Sequence, residues 1–303
     1  MNTMATHLAD SDTLASDASV SELTTWFNEL QLAYQNEPLP SLSVRKQRLR
    51  ALKQQLSRYQ DVLADAMSED FGGRSHTESI MADVLAPILD INHVLSHIGC
   101  WMKPSRRPTE WLFKGNRLEV RYQPKGVVGI ICPWNFPIYL SVGPLVAALA
   151  AGNRCMIKMP PNCPAVTRVL TKLLSEIYSN DLVRVVEGNH PQAMDISSLP
   201  FNHLVFTGSP KSGKAIMANA AKNLTPVTLE LGESLRLLFL MTLILSLQLK
   251  GWLMVKDLTL VRYVLHQITR LSPKTKWSSL SLRCPLRTKQ CTNRFEVTMT
   301  IPL

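Results

Sequence analysis

Four short stretches carry side chains whose types could do chemistry, each at the point where an apolar, strand-like run gives way to a turn. In CPWNFP (132–137), Asn135 stands between two prolines directly after the run GVVGII. Proline fixes the backbone locally, so the carboxamide is presented at a defined place. Held there, it could donate to an oxyanion developing in a transition state, or it could cap its own turn. In IKMPP, Lys158 ends the next strand-like run. Its ammonium suits a ribose hydroxyl or a phosphate, and equally suits solvent. FTGSPKSGK sets Gly208 and Ser209 between a strand and a helix, where backbone N–H groups and the helix dipole address whatever binds. That stretch lacks both the GxGxxG and GxxxxGK[ST] spacings, so by itself it is a weak phosphate-loop signal. LELG ends a strand on Glu230, a carboxylate among apolar neighbours that could serve as a general base or be held in a structural pair.

The surrounding pattern says how such residues would be positioned. Residues 20–103 read as helices. Leu23, Phe27, Leu30 and Tyr34 fall at helical spacing, and a second helix is expected over SLSVRKQRLRALKQQLSRYQDVLADAMSEDFG, with Leu49, Leu52, Leu56 and Leu63 on one face and Gly72–Gly73 ending it. A third is expected from Glu78 to about Met102, before Pro104. Arg45, Lys46, Arg48, Arg50 and Lys53 read as a solvated face of the second helix. From residue 116 the pattern changes to strands and helices in alternation: RLEVRYQP (117–124) as an exposed hairpin strand, then GVVGIICP, a helix ended by Gly152, RCMIKM, a helix over 164–179, DLVRVVEG, HLVFTG, a helix over KSGKAIMANAAKN and PVTLEL. That alternation predicts an α/β domain with a doubly wound parallel sheet, whose ligands sit at the carboxyl ends of strands.

Composition sets the limits. The chain has 303 residues, 46% of them apolar, and a formal net charge of +10. Such basicity ordinarily suggests nucleic acid, but its distribution excludes that reading. Eleven of the 33 Lys and Arg, and only two of the 23 Asp and Glu, lie after residue 233, which leaves 22 against 21 before it. The last 70 residues also hold 17 leucines and one glycine. Residues 1–19 read as a loose polar tail without the basic and apolar parts of a signal peptide. Six cysteines without CxxC or framework spacing point to a reducing, cytoplasmic compartment and to no metal site. The apolar run Leu237–Leu249 is 13 residues between Arg236 and Lys250, short of the roughly 18 needed to span a bilayer, so no membrane is expected.

Taken together, GVVGIICPWNFP, AALAAGN, LPFNHLVFTGS and LTPVTLELG, in this order and spacing, resemble the aldehyde dehydrogenase superfamily over residues 20–233. The wording YQPKGVVGIICPWNFPIYL is most similar to its class-three-like branch, which includes coniferyl aldehyde dehydrogenases. The resemblance implies an NAD- or NADP-binding domain, a small-molecule aldehyde as substrate and a homodimer built through the strand near 116–124. By the same resemblance Asn135 is the oxyanion donor and Glu230 the general base. Lys158 contacts the adenosine ribose, Gly208 and Ser209 lie near the pyrophosphate, Leu231 lies near the nicotinamide, and Pro133 and Trp134 flank the cofactor. One departure is KMPP, where the family usually writes KPSE, so that Pro161 replaces a glutamate that often grips the ribose.

The larger departure is the nucleophile. The family carries its cysteine in a GQ-x-C stretch about 34 residues beyond the general base, which here falls on Val264 in TLVRYVLHQIT. Synonymous codons for that stretch, preceded by one A and read in the neighbouring frame, spell N-A-G-Q-I-C-I-A-P-D-Y, with the cysteine at codon 264. MTLI from Met241 shifts likewise to D-D-A-D, and GESLR is what G-G-K-S-P becomes when one G of the second glycine codon is lost. Three windows agree on one frame without a gap. Residues 234–303 therefore read as an out-of-frame tail, the catalytic domain as missing and the encoded chain as inactive, with regular structure confined to 20–233. A reading from another class is a non-catalytic cofactor-binding or interaction protein that pairs with an intact paralogue.

Overall fold

The computed structural model describes residues 20–187, 190–232, 277–282 and 297–302, and the chain divides into two units, Met1–Ile244 and Leu245–Leu303. The expected loose tail over 1–19 lies outside the described residues. The first unit opens with α1 (Val20–Asn36), α2 (Leu42–Arg58), α3 (Gln60–Asp70), the single turn α4 (His76–Glu78) and α5 (Leu85–Trp101). The second expected helix is thus two, broken at Tyr59, whose φ of −95° and ψ of 5° leave the helical range. The leucine stripe nevertheless stays continuous, because Leu49, Leu52, Leu56 and Leu63 are all fully buried.

The basic residues of α2 are not one solvated face, and this corrects the expectation. Arg45 is buried: its Nη1 donates to the carbonyls of Ala150 and Ala151 at 3.1 and 2.7 Å, and its Nε to that of Pro40 at 2.9 Å. A guanidinium is well suited to the unpaired carbonyls at a helix C-terminus, and Gly152 beyond them adopts φ 92°. A side chain at Gly152 would meet the Arg45 guanidinium at 2.8 Å. Of the other four, only Arg50 is exposed. The signal was present in the sequence, since Arg45 shares the helical face of Leu49, Leu52 and Leu56. Arg45→Ala should lower stability by about 2–3 kcal/mol, as expected for charged hydrogen bonds to buried carbonyls. Urea unfolding would measure it, and a midpoint equal to that of the parent would refute the capping role.

The run His76–Trp101 has 26 residues and a mean hydropathy of 1.2, long and apolar enough by those measures to cross a bilayer. It contains a π-helical turn at Ser79–Val84 and buries Pro87, Ile91 and Ile98 against the core. Beyond it, β1 (Ser105–Arg106) pairs antiparallel with β2 (Glu119–Val120). The strand expected over 116–124 is therefore regular for two residues only. Arg117 and Arg121 both pair with Glu119 there.

The rest of the unit is the expected α/β domain. β3 (Val127–Ile131), β4 (Arg154–Lys158), β5 (Val183–Val186), β6 (His203–Gly208) and β7 (Val227–Leu231) form one parallel sheet in the order β5-β4-β3-β6-β7. The helices between them are α6 (Tyr139–Ala151), α7 (Pro164–Ser175), α8 (His190–Ser197) and α9 (Pro210–Ala221). α7 ends four residues earlier than the pattern suggested. α8 was not anticipated; it is fixed by packing, with Ile196 within it and Leu199 just beyond it buried. Asn153 Oδ1 accepts from the backbone N–H of Lys125 and Gly126, and Asn202 Oδ1 from that of Val127, fastening the start of β3.

Alternate strand residues face opposite layers. Val128, Ile130, Cys155, Ile157 and Val183 join a core with α2, α3, α5, α6 and α7. Val127, Ile131, Met156, Val186, Leu204 and Phe206 join another with α1, α8 and α9. β3 and β4 are buried on both sides, as unbroken apolar runs in a parallel sheet require. β7 differs: Val227, Leu229 and Leu231 pack on the second layer, while Thr228 and Glu230 point to the first and are exposed.

In the second unit, β8 (Trp277–Leu282) and β9 (Val297–Pro302) pair antiparallel, Trp277 opposite Pro302 and Leu282 opposite Val297. Regular structure thus extends past residue 233, contrary to expectation. The β-branched run VTMTIP has the composition of a strand, although two strands alone are marginally stable in water.

Candidate functional site

The chain runs outward from β3 through β4 to β5, then returns to the other side of β3 as β6 and β7. The direction reverses between β3 and β6, and a crevice at the carboxyl ends of strands opens at such a switch point. The Asn135 loop leaves one of these strands and Gly208–Ser209 leaves the other. Lys158 ends the strand beyond β3, opposite Ile131, and Glu230 and Leu231 lie opposite Thr207 and Gly208. The four sequence candidates therefore sit on four adjacent strand ends, spanning about 14 Å at the usual strand spacing.

They do not share a face. Lys158 alternates with Met156, and Gly208 with Phe206, so both lie on the side of α1, α8 and α9 together with Leu231. Glu230 lies on the opposite side and is exposed. Lys158 is 2% exposed and its Nζ donates to the Met159 carbonyl at 2.6 Å, which excludes a solvated strand-end lysine. Ser209 is the N-cap of α9, its hydroxyl accepting from the N–H of Ser212 at 3.2 Å. Helix and strand approach closely there: a side chain at Gly208 would meet Phe206 at 2.5 Å, and one at Gly213 would meet Leu231 at 2.8 Å. A helix N-terminus and a buried ammonium on one side of the switch point suit two polar parts of a dinucleotide, the anionic pyrophosphate and the hydroxyls of the adenosine ribose.

In the β3–α6 loop, Pro133 is half-buried, and the Trp134 ring lies 6.3 Å from that of Phe71. Asn135 Oδ1 is buried and accepts no hydrogen bond among the described residues, so the side chain is not spent on capping its turn. Glu230 is exposed and has no hydrogen bond or ion pair among the described residues.

Two functional-looking residues escaped the sequence reading. Arg74 and Asp83 form a fully buried ion pair at 3.2 Å. Asp83 Oδ1 also accepts from the N–H of Tyr139 at 2.6 Å, and Arg74 Nη1 donates to the Asn135 carbonyl at 3.3 Å. Burial pushes the Asp83 carboxyl up to about 6 despite these partners. A lone aspartate in the apolar run IMADVLAPIL was the available signal.

The thiols near the loop are poor nucleophiles. Burial raises the pKa of Cys132, whose Sγ lies 3.5 Å from the Lys158 carbonyl, and pushes Cys163 up to about 12. A thiol must ionise to attack. The position where the family's cysteine is expected, Val264, lies outside the described residues. A cavity of about 440 Å³ lined by Arg58, Tyr59, Val62, Arg168, Val169 and Lys172 contains none of the candidate residues.

Known proteins share this architecture. The model of the aldehyde dehydrogenase family matches residues 17–238. A probable coniferyl aldehyde dehydrogenase of Pseudomonas aeruginosa is 44% identical over 217 residues, covering 72% of this chain and 46% of that one. The coniferyl aldehyde dehydrogenase of Pseudomonas sp. strain HR199 is 36% identical over 211 residues, covering 70% and 44%. Among solved structures, the substrate-bound Staphylococcus aureus AldH superposes with a TM-score of 0.66 at 28% identity, over 69% of this chain and 45% of that one. The NAD+ complex of a Bacillus cereus aldehyde dehydrogenase superposes at 0.64 with 26% identity, over 71% and 44%. The chain spans a little under half the length of the relatives it matches.

Proposed function

Since the chain belongs to the aldehyde dehydrogenase family, we propose that residues 20–233 are the cofactor-binding part of an enzyme that oxidises an aldehyde to its carboxylic acid with NAD or NADP. We propose further that residues 234–303 are translated out of frame, so that the encoded chain is inactive. The observation that carries this reading is a coincidence of boundaries. The family match ends at residue 238, the leucine-rich basic composition starts after 233, and Thr228 and Glu230 on one face of β7 are exposed.

Lys158, Gly208, Ser209 and Leu231 would hold the dinucleotide on one side of the sheet, with Pro133 and Trp134 flanking it. When bound, the oxidised nicotinamide supplies the acceptor for the aldehyde's hydride. In the restored frame, a thiolate encoded at codon 264 adds to the carbonyl carbon, and the Asn135 amide donates to the oxygen that gains charge. Glu230, exposed on the opposite face of the sheet, would take the proton from the water that releases the acid. Relatives named for coniferyl aldehyde favour an aromatic substrate, and free thiols at Cys100, Cys132, Cys155 and Cys163 favour a reducing cytoplasm.

Sequencing codons 230–236 tests the frame directly. The pattern GGN GGN AAR in one frame would make the loss a reading error, and an unshifted reading of all three windows would remove the proposal. The cofactor assignment has its own test. Lys158→Met should weaken NAD+ binding by roughly tenfold in calorimetry, about 1.4 kcal/mol; equal affinity would reduce Lys158 to a packing role.

A second reading rests on the arm around β1 and β2, where Trp111, Leu118 and Tyr122 are 80%, 54% and 72% exposed. These side chains suit a homodimer contact, or pairing of this chain as a non-catalytic partner with an intact paralogue. Co-purification with such a paralogue, lost on Trp111→Ser with Tyr122→Ser, would favour it.

A further inference from the structure

The loop that carries Pro133, Trp134 and Asn135 is held by two residues of the first layer, Arg74 and Asp83, which reach it through backbone groups. Arg74 follows the glycines that end α3, and Asp83 is delivered by the π-helical turn Ser79–Val84. The guanidinium lies between two rings, 5.2 Å from the centroid of Phe71 and 5.1 Å from that of Phe136. Its Nη1 bridges the Asp83 carboxylate and the Asn135 carbonyl, while Asp83 holds the N–H of Tyr139 at the start of α6. The loop is thus tied at Asn135 and again where it becomes helix.

We propose that Arg74 and Asp83 are positioning residues, a buried clamp that sets the 133–135 loop against the cofactor and aims the Asn135 carboxamide. The pair is an expensive way to fill space. Arg74 Nε and Nη2 are buried without hydrogen-bond partners among the described residues, and an apolar pair of similar volume is often as stable as a buried ion pair. What the ions add is direction, because Nη1 reaches two oxygens from one point. π-Helical turns recur where a side chain must be re-aimed at a functional site, and this one supplies Asp83.

The inference rests on the cofactor reading above, and NAD+ titration of the 303-residue chain separates the two. Removing one ion alone would strand the other, so the informative variant is the double Arg74→Met with Asp83→Asn, with Arg74→Lys as the conservative one. The double variant should keep a melting temperature near that of the parent yet bind NAD+ roughly tenfold more weakly. Arg74→Lys, whose ammonium can serve both oxygens, should restore most of the affinity.

A pH profile adds a readout that packing would not move. The other titratable groups facing the pair are the buried thiols Cys132 and Cys163; beyond Cys163 lies Asp70, whose carboxylate accepts from the N–H groups of Ala165 and Val166 at the start of α7. Burial holds Asp83 at about 6 in the fold against 3.8 for the free group. A raised carboxyl favours folding as pH falls through that window and loses this contribution as pH rises through about 6. Affinity should therefore drop on acidification through pH 6 without a drop in stability from this group, and the double variant should lack that step. Equal affinity and an identical pH profile in parent and double variant would overturn the proposal. If the parent itself binds no NAD+, the cofactor reading fails, and the clamp is judged by Trp134 fluorescence, taken as the difference from Trp134→Phe. A red shift in the double variant supports the clamp, and an unchanged emission rejects it.

Discussion

Inserting one G at codon 233 should turn a chain that oxidises no aldehyde into an NAD(P)-dependent enzyme with turnover on the order of 1–10³ per second, the common range for enzymes. The size of the effect follows from the thiolate. Without a covalent adduct, the aldehyde hydrogen is not held against the cofactor, and the remaining binding groups cannot substitute. The buried cysteines cannot take over: Cys132 and Cys155 have strongly raised pKa values, and Cys163 is pushed up to about 12. The insertion should also create the cysteine at codon 264, so changing that codon to serine in the restored gene should abolish the activity. Turnover by the uncorrected chain that disappears on Cys132→Ser would defeat the argument, as would an inactive product from the corrected gene.

In the restored enzyme, Asn135→Ala should lower kcat by roughly 10²–10³-fold, the loss typical of one oxyanion donor, with little change in NAD+ affinity. The geometry makes the two roles separable. The loop is held through the Asn135 carbonyl by Arg74, whereas Oδ1 of the side chain is buried and accepts nothing among the described residues. Removing the carboxamide should spare the loop and remove only the donor. Asn135→Asp should be at least as damaging, because a carboxylate repels the charge it is meant to stabilise. A normal kcat accompanied by a lowered melting temperature would return Asn135 to the turn-capping role that its position between prolines also allowed.

Much of this was legible along the chain because the signals are local. The apolar runs at Val127–Ile131 and Arg154–Lys158 have the length and composition of strands buried on both faces, and they are. Gly152 and the paired Gly72–Gly73 mark helix ends at positive φ. Ser209 before Pro210 announces the α9 N-terminus. The proposed out-of-frame origin of residues 234–303 also rests on the sequence alone, since codon relationships do not depend on whether the product folds.

What the sequence could not decide depended on partners distant in the chain. Arg45 looked like one of five surface cations until α6 placed its last carbonyls beside it. The break at Tyr59 and the existence of α8 are outcomes of packing, which overrides weak local preferences. Asp83 and Arg74 lie 52 and 61 residues before Asn135, and only the meeting of the π-helical turn with the β3–α6 loop makes them one unit. Strand alternation gave each candidate a parity, but the layers of helices decided which parity meant what. Lys158, Gly208 and Leu231 fell on the side of α1, α8 and α9, and Glu230 on the other, where it is exposed. The physical reason is range: turns, caps and strand runs are set by neighbours within a few residues, whereas burial, and with it the desolvation that lifts Asp83 and silences Cys132, exists only once remote segments exclude water together.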